Sequence, residues 1–224
     1  MCVNYTPTQR DRVAKHFEVI MADAPHERIV FPGYRAPIVR KKTKVCAVES
    51  VSACFGMIPS WADQKHFKHT YNARSETVAS KYSFRNAWQR GQFCIIPADS
   101  IFEPCYESGK AARWEIRHED DSPLAIAGIW ETRPDGPDGE PLLSFSMLTI
   151  NADEHPLMRR FHKPGEEKRS VVLLKPQEYA AWLDAGVNEA AAFLKPYPAE
   201  LMAAAAVSEE TAAAKETARQ ADLF

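Results

Sequence analysis

The sequence predicts an α+β fold, with a distorted, mostly antiparallel, barrel-like β-sheet and flanking helices. Strand-like segments outnumber helical ones, and they do not alternate with helices as strands do in a βαβ fold. A turn-rich stretch at residues 133–141, RPDGPDGEP, is typical of a hairpin connection between two of these strands. The 224 residues are enough for one large domain with a substantial core.

Helical patterns occur in the first half of the chain. Thr6 or Thr8 can cap a first helix, in which Val13 and Phe17 fall on one face. The loop FPGY then leads into a short basic strand, APIVRKK. Residues 74–91 predict a further helix that ends near a glycine.

Most of the remaining chain predicts strands. The strand-like runs are ACFGMI, QFCIIPAD, RWEIRHE, LAIAGIWE, LSFSMLTIN and RSVVLL, and a short amphipathic helix, KPQEYAAWLDAG, follows them. From about Ala199 the composition becomes rich in Ala and Glu, which is typical of a solvated helix or a disordered tail. We therefore expect one domain over residues 1–198 and a tail over residues 199–224.

Composition excludes several classes of protein. No run approaches the length of a membrane span and no signal-peptide core follows Met1, so we expect a cytoplasmic protein without a membrane partner. The five cysteines (Cys2, Cys46, Cys54, Cys94 and Cys105) are odd in number and lack CxxC spacing, which argues against disulfides and a thiolate zinc site. His66 and His69 have no third ligand at a recognisable spacing, and we expect neither a metal nor a cofactor.

Charge is distributed unevenly along the chain. Residues 1–95 contain 15 Lys and Arg against 7 Asp and Glu, a net charge of +8, whereas residues 96–224 carry −10. Such a split indicates either a basic face for a polyanion or two halves whose charges intermix in the fold. Composition alone leaves both interpretations open.

Cys2 directly follows the initiator methionine. A free terminus frays and tolerates most residues, so this cysteine can be without a role. Alternatively, removal of Met1 would place a thiol and an α-amine, both nucleophiles, on a single residue. Later segments decide between these two interpretations.

Three of these segments contain residues suited to chemistry. In TYNARSET, Asn72 and Arg74 lie where an extended segment enters the predicted helix, which suits an oxyanion or a phosphate. Glu103, in SIFEPC, has apolar neighbours that should raise its pKa toward that of a neutral-range acid or base. His162 lies at a loop edge and can move protons near pH 7. Each residue also has an ordinary structural interpretation, as a turn residue, a surface ion pair or a solvated strand end.

An exposed aromatic residue is predicted in MIPSWAD. Trp61 follows the strand break at Pro59, so its ring can stack on a nucleobase. Packing in the core is the more common role of a tryptophan.

Taken together, the segments resemble a known family. In chain order they are Cys at position 2, P-x-W, N-A-R-x-E-T, P-A-D-x-x-x-E and P-L-M-x-x-x-H before a VVLL strand. This order is similar to that of the SRAP family, the SOS response-associated peptidases, and the match extends from Cys2 to about Leu174. The family fold is a compact α+β structure around a distorted barrel with a positively charged channel.

The resemblance implies a function in the response to DNA damage. It implies that Cys2, once Met1 is removed, bonds covalently to abasic sites in single-stranded DNA through a thiazolidine. Asn72, Glu103 and His162 fall on the other active-site positions of the family.

The resemblance also implies a DNA-binding surface. Arg74 matches a contact to a DNA phosphate, and Pro37, Pro59 and Trp61 match positions that line the bent strand. Asn4 stands where the family commonly has a DNA-contacting arginine, and we include it in the surface.

Two other functions stay open at this point. One is a cysteine peptidase, mainly autoproteolytic, with Cys2 as nucleophile and His162 as base. The other is a non-catalytic adaptor that binds single strands and a partner. Replacing Cys2 would abolish crosslinking and leave the binding by an adaptor intact.

The chain ends in QADLF, which resembles the pentapeptide that docks repair proteins onto the bacterial sliding clamp. Leu223 and Phe224 can fill an apolar pocket, and Gln220 can form a hydrogen bond at its edge. We therefore expect the sliding clamp as a partner, and the alternative is a chance match of five residues.

Overall fold

The computed structural model describes residues 2–19, 26–42, 47–136 and 139–207. The strands in these ranges are β1 (Asn4–Pro7), β2 (Arg35–Lys41), β3 (Val48–Phe55), β4 (Asn72–Arg74), β5 (Phe93–Cys105), β6 (Ala112–His118), β7 (Leu124–Arg133), β8 (Leu142–Asn151), β9 (Arg169–Val171) and β10 (Met202–Ala206). The α-helices are α1 (Arg10–Phe17), α2 (Arg85–Gln89), α3 (Tyr179–Asp184) and α4 (Val187–Ala190). Short 3₁₀ helices cover Gln64–His69, Met158–Arg160, Pro176–Glu178, Ala191–Phe193 and Ala199–Leu201.

Five of the strands close into a barrel. β5 pairs with β2, β2 with β3, β3 with β8, β8 with β7, and β7 pairs back with β5. These pairings are antiparallel except that of β3 with β8, which is parallel. Closure leaves none of these five strands with a free edge over its barrel segment. The predicted α+β fold with a mostly antiparallel, barrel-like sheet is confirmed.

The other strands extend the barrel on two sides. β4 and β9 pair with β8, whereas β1 and β6 pair with β5, and β10 pairs with β6. β5 serves both purposes because it is 13 residues long. Its pairing with β7 covers Phe93–Ala98, and its pairing with β6 covers Ile101–Cys105. The second half of β5 thereby meets the first residues of the chain.

The barrel strands bury residues on both faces. On β5, Cys94 and Ile96 belong to one hydrophobic cluster, and Phe93 and Ile95 belong to another, as the alternation of side chains along a strand requires. The second cluster contains Trp182 of α3, so it lies beneath the helices while the first fills the barrel. Burial on both faces explains the uninterrupted apolar runs in the sequence.

The first helix begins later than its predicted caps. Thr6 lies in β1 opposite Ser100, and α1 begins after Gln9, whose side chain makes no capping hydrogen bond. Val13 is fully buried, as its helical spacing predicts. Within the described ranges, no helix is long and apolar enough to cross a membrane.

The predicted helix over residues 74–91 is wrong for most of its length. Turns occupy residues 75–84, and only α2 is α-helical. This stretch contains Ser75, Thr77, Ser80 and Ser83, whose hydroxyls compete with the helical hydrogen-bond pattern. The Ser80 hydroxyl, for example, donates to the Thr77 carbonyl at 3.2 Å.

The predicted tail from Ala199 is wrong for its first residues. Met202–Ala206 form β10, which pairs in antiparallel fashion with β6, and Met202 is buried. A run of alanines has weak strand propensity, and pairing with a partner strand decides its structure here. The QADLF segment at residues 220–224 lies outside the described residues.

Candidate active site

Cys2 is buried just before β1, and only 1% of its surface is exposed. Its carbonyl oxygen accepts a hydrogen bond of 2.7 Å from Asn72 Nδ2, and its Sγ donates to the Asn4 carbonyl at 3.3 Å. Asn72 is the first residue of β4 and pairs with Met147 of β8. The amide that holds Cys2 is therefore fixed by the sheet.

The environment of the Cys2 thiol disfavours the thiolate. Burial, and then the negative charge of Glu103, raise the pKa of Cys2 well above its ordinary value. The thiol is therefore protonated at neutral pH. A neighbouring base must take its proton before the sulfur can act as a strong nucleophile.

Glu103 projects from the second half of β5. Its neighbours on the same face, Ile101 and Cys105, belong to the cluster that fills the barrel. Glu103 is 2% exposed, and this burial raises the pKa of its carboxyl to about 7. A carboxyl with such a pKa exists in both forms at neutral pH, so it can donate or accept a proton.

His162 is placed next to Glu103 by a backbone connection between their segments. Phe161 forms a β-bridge with Cys105, and the N–H of His162 donates to the Pro104 carbonyl at 2.8 Å. His162 has a φ of +65°, an uncommon conformation for a residue other than glycine. The turn brings its Nδ1 to 3.4 Å from Glu103 Oε2.

The hydrogen bonds of His162 define its tautomer. Nε2 lies 3.0 Å from the carbonyl oxygen of Arg169, which can only accept, so Nε2 carries the hydrogen. In the neutral ring Nδ1 is then the basic nitrogen, and it faces the Glu103 carboxyl. Burial lowers the pKa of His162 and raises that of Glu103, so the pair favours a neutral histidine beside a protonated carboxyl.

Asn72 has one further polar group in the site. Its Oδ1 is buried and has no hydrogen-bond partner within the described part of the chain. Buried acceptors without a partner are uncommon in folded proteins, because their desolvation is not compensated. This oxygen is therefore available to an amine or a hydroxyl group at the site.

Arg169 supports the site, and the sequence interpretation missed it. Its side chain is 2% exposed and forms two parallel hydrogen bonds with Glu76, of 2.8 and 3.0 Å, and one of 2.8 Å with Glu167. It also donates to the Thr149 carbonyl of β8 at 2.8 Å. Because the Arg169 carbonyl accepts from His162, this network fixes the histidine ring. The sequence signal is a charged residue at the start of an apolar strand.

Two tyrosines near Cys2 were also missed. Tyr5 belongs to the same buried cluster as Cys2, and Tyr71 packs against that cluster. Burial raises the pKa of both hydroxyls. Tyr5 is fully buried, and its hydroxyl finds no hydrogen-bond partner among the residues described. Aromatic residues at strand positions are usually core residues, so no sequence signal distinguished these two.

Arg74 ends β4 on the surface of the molecule. Its Nη1 lies 3.0 Å from Glu167 Oε2, and both side chains are exposed. An exposed ion pair of this kind contributes little to stability, so an anion can replace the carboxylate. The position is compatible with the predicted phosphate contact.

Trp61 is part of an exposed aromatic cluster. The ring is 49% exposed and its centroid lies 4.8 Å from that of Tyr82 and 5.1 Å from that of His66. The guanidinium of Arg85 stacks over Tyr82 at 4.5 Å. The predicted exposure of Trp61 is confirmed, and its neighbours enlarge the aromatic surface.

The two predicted DNA-lining prolines are buried. Pro37 lies within β2 opposite Ser52, so its ring has no open surface for a DNA strand. Pro59 accepts a hydrogen bond of 3.0 Å from Ala62, which forms the turn that presents Trp61. The DNA-binding surface proposed below therefore includes neither ring. No cluster of three or more His, Cys, Asp or Glu residues that could hold a metal occurs in the ranges described above.

A barrel that buries a cysteine at position 2 beside a glutamate–histidine pair defines a protein equipped for nucleophilic and proton-transfer chemistry. The chain belongs to the SRAP family, described as SOS response associated peptidase, whose model matches residues 1–214.

Similar proteins include the abasic site processing protein YoqW of Bacillus subtilis (strain 168). It is 32% identical over 159 residues, which are 69% of this chain and 67% of YoqW. The abasic site processing protein HMCES of Gallus gallus is 28% identical over 123 residues, or 45% of this chain and 36% of HMCES. A crystal structure of a protein from Bordetella bronchiseptica is 39% identical and superposes with a TM-score of 0.86, covering 92% of this chain and 100% of that one.

Proposed function

We propose that this chain processes abasic sites in single-stranded DNA by forming a covalent crosslink through Cys2 after Met1 has been removed. Two relatives are named abasic site processing proteins, one of them at 32% identity. The observation that carries the proposal is the position of Cys2, buried next to Glu103 and His162, whose Oε2 and Nδ1 atoms lie 3.4 Å apart.

The chemistry requires both nucleophiles of an N-terminal cysteine. The α-amine condenses with the aldehyde of the opened abasic sugar, the carbonyl oxygen leaves as water, and an imine forms. The thiol sulfur then adds to the imine carbon while the nitrogen gains a proton, which closes a five-membered thiazolidine. An α-amine has a pKa of about 8, against about 10.4 for lysine, so more of it is neutral at pH 7. Ring closure within one residue has a large proximity advantage.

The buried pair supplies proton transfer for these steps. A protonated Glu103 can donate to the sugar ring oxygen as the ring opens, and its carboxylate can then take the proton of the Cys2 thiol. Nδ1 of His162 can take the proton that the anomeric hydroxyl loses as the ring opens, and it can give that proton to the departing water when the imine forms. The thiol proton then passes from Glu103 to the nitrogen of the thiazolidine. Asn72 holds the backbone of Cys2, and its free Oδ1 can accept from the α-amine.

The same geometry disfavours the cysteine peptidase alternative. A peptidase thiol is activated as a thiolate beside a histidine, with a lowered pKa. Here burial raises the pKa of Cys2, its sulfur donates to the Asn4 carbonyl, and His162 contacts Glu103. Imine formation uses the α-amine and needs no thiolate.

The proposed DNA-binding surface contains Asn4, Trp61 and Arg74. Trp61 and its aromatic neighbours provide a stacking surface, and Arg74 provides a guanidinium at the end of β4. Binding to single strands would combine phosphate contacts, which weaken as salt rises, with base stacking.

A bacterial sliding clamp is the further partner in this proposal. Its support is the C-terminal QADLF sequence, in which Gln220, Leu223 and Phe224 have the chemistry of a clamp-docking peptide. Clamp contact would concentrate the protein where single strands appear, without any new DNA contact.

Intact-mass spectrometry tests the crosslink. The purified protein is mixed with a single-stranded oligonucleotide that carries one abasic site. We expect loss of Met1 and a new species at the summed mass of protein and DNA minus one water, stable to heat without reductant. Absence of the adduct in protein that has lost Met1 would overturn the proposal.

A further inference from the structure

A cavity of about 290 Å³ adjoins the proposed active site. Its lining residues include Val3, Phe102 and Pro104, which are apolar, and Asn4, Glu103 and Arg113, which are polar. Val3 directly follows Cys2, and Glu103 belongs to the proton-transfer pair. The cavity therefore borders the chain segments that carry Cys2 and Glu103.

Arg113 is held in a defined orientation at this cavity. It lies on β6 opposite Pro104 of β5. Its Nη2 donates to Asn4 Oδ1 at 3.0 Å, and its guanidinium carbon lies 3.9 Å from the centre of the Phe102 ring. Stacking on one face and a hydrogen bond at one edge restrict the planar group before any ligand binds, which lowers the entropy cost of binding.

Among the residues described, no ion pair neutralises the positive charge of Arg113. In the part of the chain that the structure describes, no carboxylate lies within ion-pair distance of it, although the charge of Glu115 acts from further away. Other arginines near the site, Arg74, Arg160 and Arg169, each pair with a carboxylate. The charge of Arg113 is therefore available to an anion.

The position of Arg113 specifies which part of the DNA it would contact. Phe102 and Glu103 are consecutive residues of β5, so their side chains point to opposite faces of the sheet. Arg113 stacks on Phe102, and Glu103 is directed toward the barrel core. The β5 backbone thus separates a group bound by Arg113 from the Glu103 carboxyl, so that group would be a neighbour of the reacting sugar and not the sugar itself.

We infer that Arg113, oriented by Asn4 and Phe102, binds a phosphate that flanks the abasic nucleotide in single-stranded DNA. The inference rests on the proposed function. The guanidinium fork can donate two parallel N–H groups to one phosphate, which a lysine cannot reproduce. The apolar wall of the cavity accommodates the adjoining sugar.

The test compares Arg113→Gln with the wild-type full-length protein. Crosslinking is followed over a range of concentrations of an abasic single-stranded oligonucleotide, and binding of the undamaged oligonucleotide is followed over a range of salt. We expect the half-saturating DNA concentration to rise by roughly 3- to 30-fold, while the rate at saturation stays within about twofold. The slope of log affinity against log salt should become shallower by about 0.7, the loss of one phosphate contact on a single strand.

Two further variants make the result specific. Arg117→Gln removes the same charge from the same strand, but Arg117 pairs with Asp121, and we expect wild-type binding. Arg113→Lys keeps the charge without the fork and should give an intermediate affinity.

Identical half-saturation and salt slope in Arg113→Gln and wild type would overturn the inference. If neither the wild type nor any variant crosslinks, but Arg113→Gln still makes the salt slope of binding shallower, the proposed function fails and the phosphate site stands.

Discussion

The Oε2 atom of Glu103 lies 3.4 Å from Nδ1 of His162. Both residues are buried, with 2% of the surface of Glu103 and 6% of that of His162 exposed to solvent. The other ring nitrogen of His162 donates to a backbone carbonyl, so Nδ1 is the basic nitrogen of the neutral ring, and it faces a carboxyl whose pKa burial raises to about 7. Cys2 is close enough for the charge of this carboxyl to raise the pKa of its thiol.

Cys2→Ala should abolish the heat-stable crosslink, because it removes the sulfur that closes the thiazolidine. The remaining α-amine should give at most an imine that borohydride traps. Denaturing electrophoresis of the heated mixture, with and without borohydride, measures both products. Cys54→Ala, which alters a buried cysteine in β3, is the matched control and should crosslink as wild type does. A heat-stable adduct of Cys2→Ala formed without reductant would contradict the mechanism.

Glu103→Gln and His162→Gln should each slow crosslinking by roughly 10- to 10⁴-fold, the range usual for loss of a general acid or base. Binding of undamaged single strands should stay near the wild-type level, since neither group contacts the flanking DNA in the proposal. Single-turnover rates at saturating DNA measure the effect. Glu107→Gln, at a surface carboxyl paired with Arg160, is the control. Wild-type rates in both site variants would refute their assigned roles.

The raised pKa of Glu103 should make stability depend on pH. The ordinary carboxyl pKa of 4.5 becomes about 7 in the folded chain, so between these values the folded state binds more protons than the unfolded state. The free energy of unfolding should therefore fall as pH rises through this window, by up to about 3 kcal/mol, and should level off above about pH 7.

Urea denaturation near pH 5 and near pH 8 measures this effect, and Glu103→Gln, which cannot ionise, is the comparison. Its loss of stability over the same interval should be smaller than that of the wild type. The lowered pKa of His162 acts in the opposite sense below 6.5, and it is present in both proteins. An equal pH dependence of the two proteins would show that the carboxyl is not perturbed as stated.

Trp61→Ala should weaken binding of single strands by about 1–3 kcal/mol, the amount that stacking of one base on an aromatic ring contributes. Trp61→Phe should retain most of the affinity, because a smaller aromatic ring remains. Fluorescence anisotropy of a labelled oligonucleotide at several salt concentrations measures both variants and the expected steep fall with salt. Tighter binding to intact duplex, or affinity that ignores salt, would contradict the proposed surface.

A peptide of residues 215–224 should bind a bacterial sliding clamp, and the same peptide with Leu223 and Phe224 changed to Ala should not. Isothermal titration calorimetry compares the two. Equal binding by both, or none by either at high micromolar concentration, would remove the clamp from the proposal. The result leaves the crosslinking chemistry untouched, since the domain and the peptide are tested separately.

Local sequence patterns were informative wherever neighbouring residues decide structure. The apolar strands around Ile96 and Ile126 were recognisable because both faces are buried, and Glu103 stood out as a carboxyl in an apolar strand. The helix expected over residues 74–91 failed because hydroxyl side chains and turns outweigh its weak helical pattern. β10 escaped notice because its structure depends on β6, more than 80 residues earlier in the chain.

The sequence by itself determined the barrel-like fold class, the family, and the residue types that can carry the chemistry, of which Cys2, Glu103 and His162 are the central ones. Only the tertiary structure decided that these three residues meet. Cys2 and His162 are some 160 residues apart in the chain. The pairing of β1 with β5 brings Cys2 to Glu103, and the bridge between Phe161 and Cys105 brings His162 there. The tertiary structure also decided the burial that shifts their pKa values, because desolvation depends on what packs around a group and not on its neighbours in the chain.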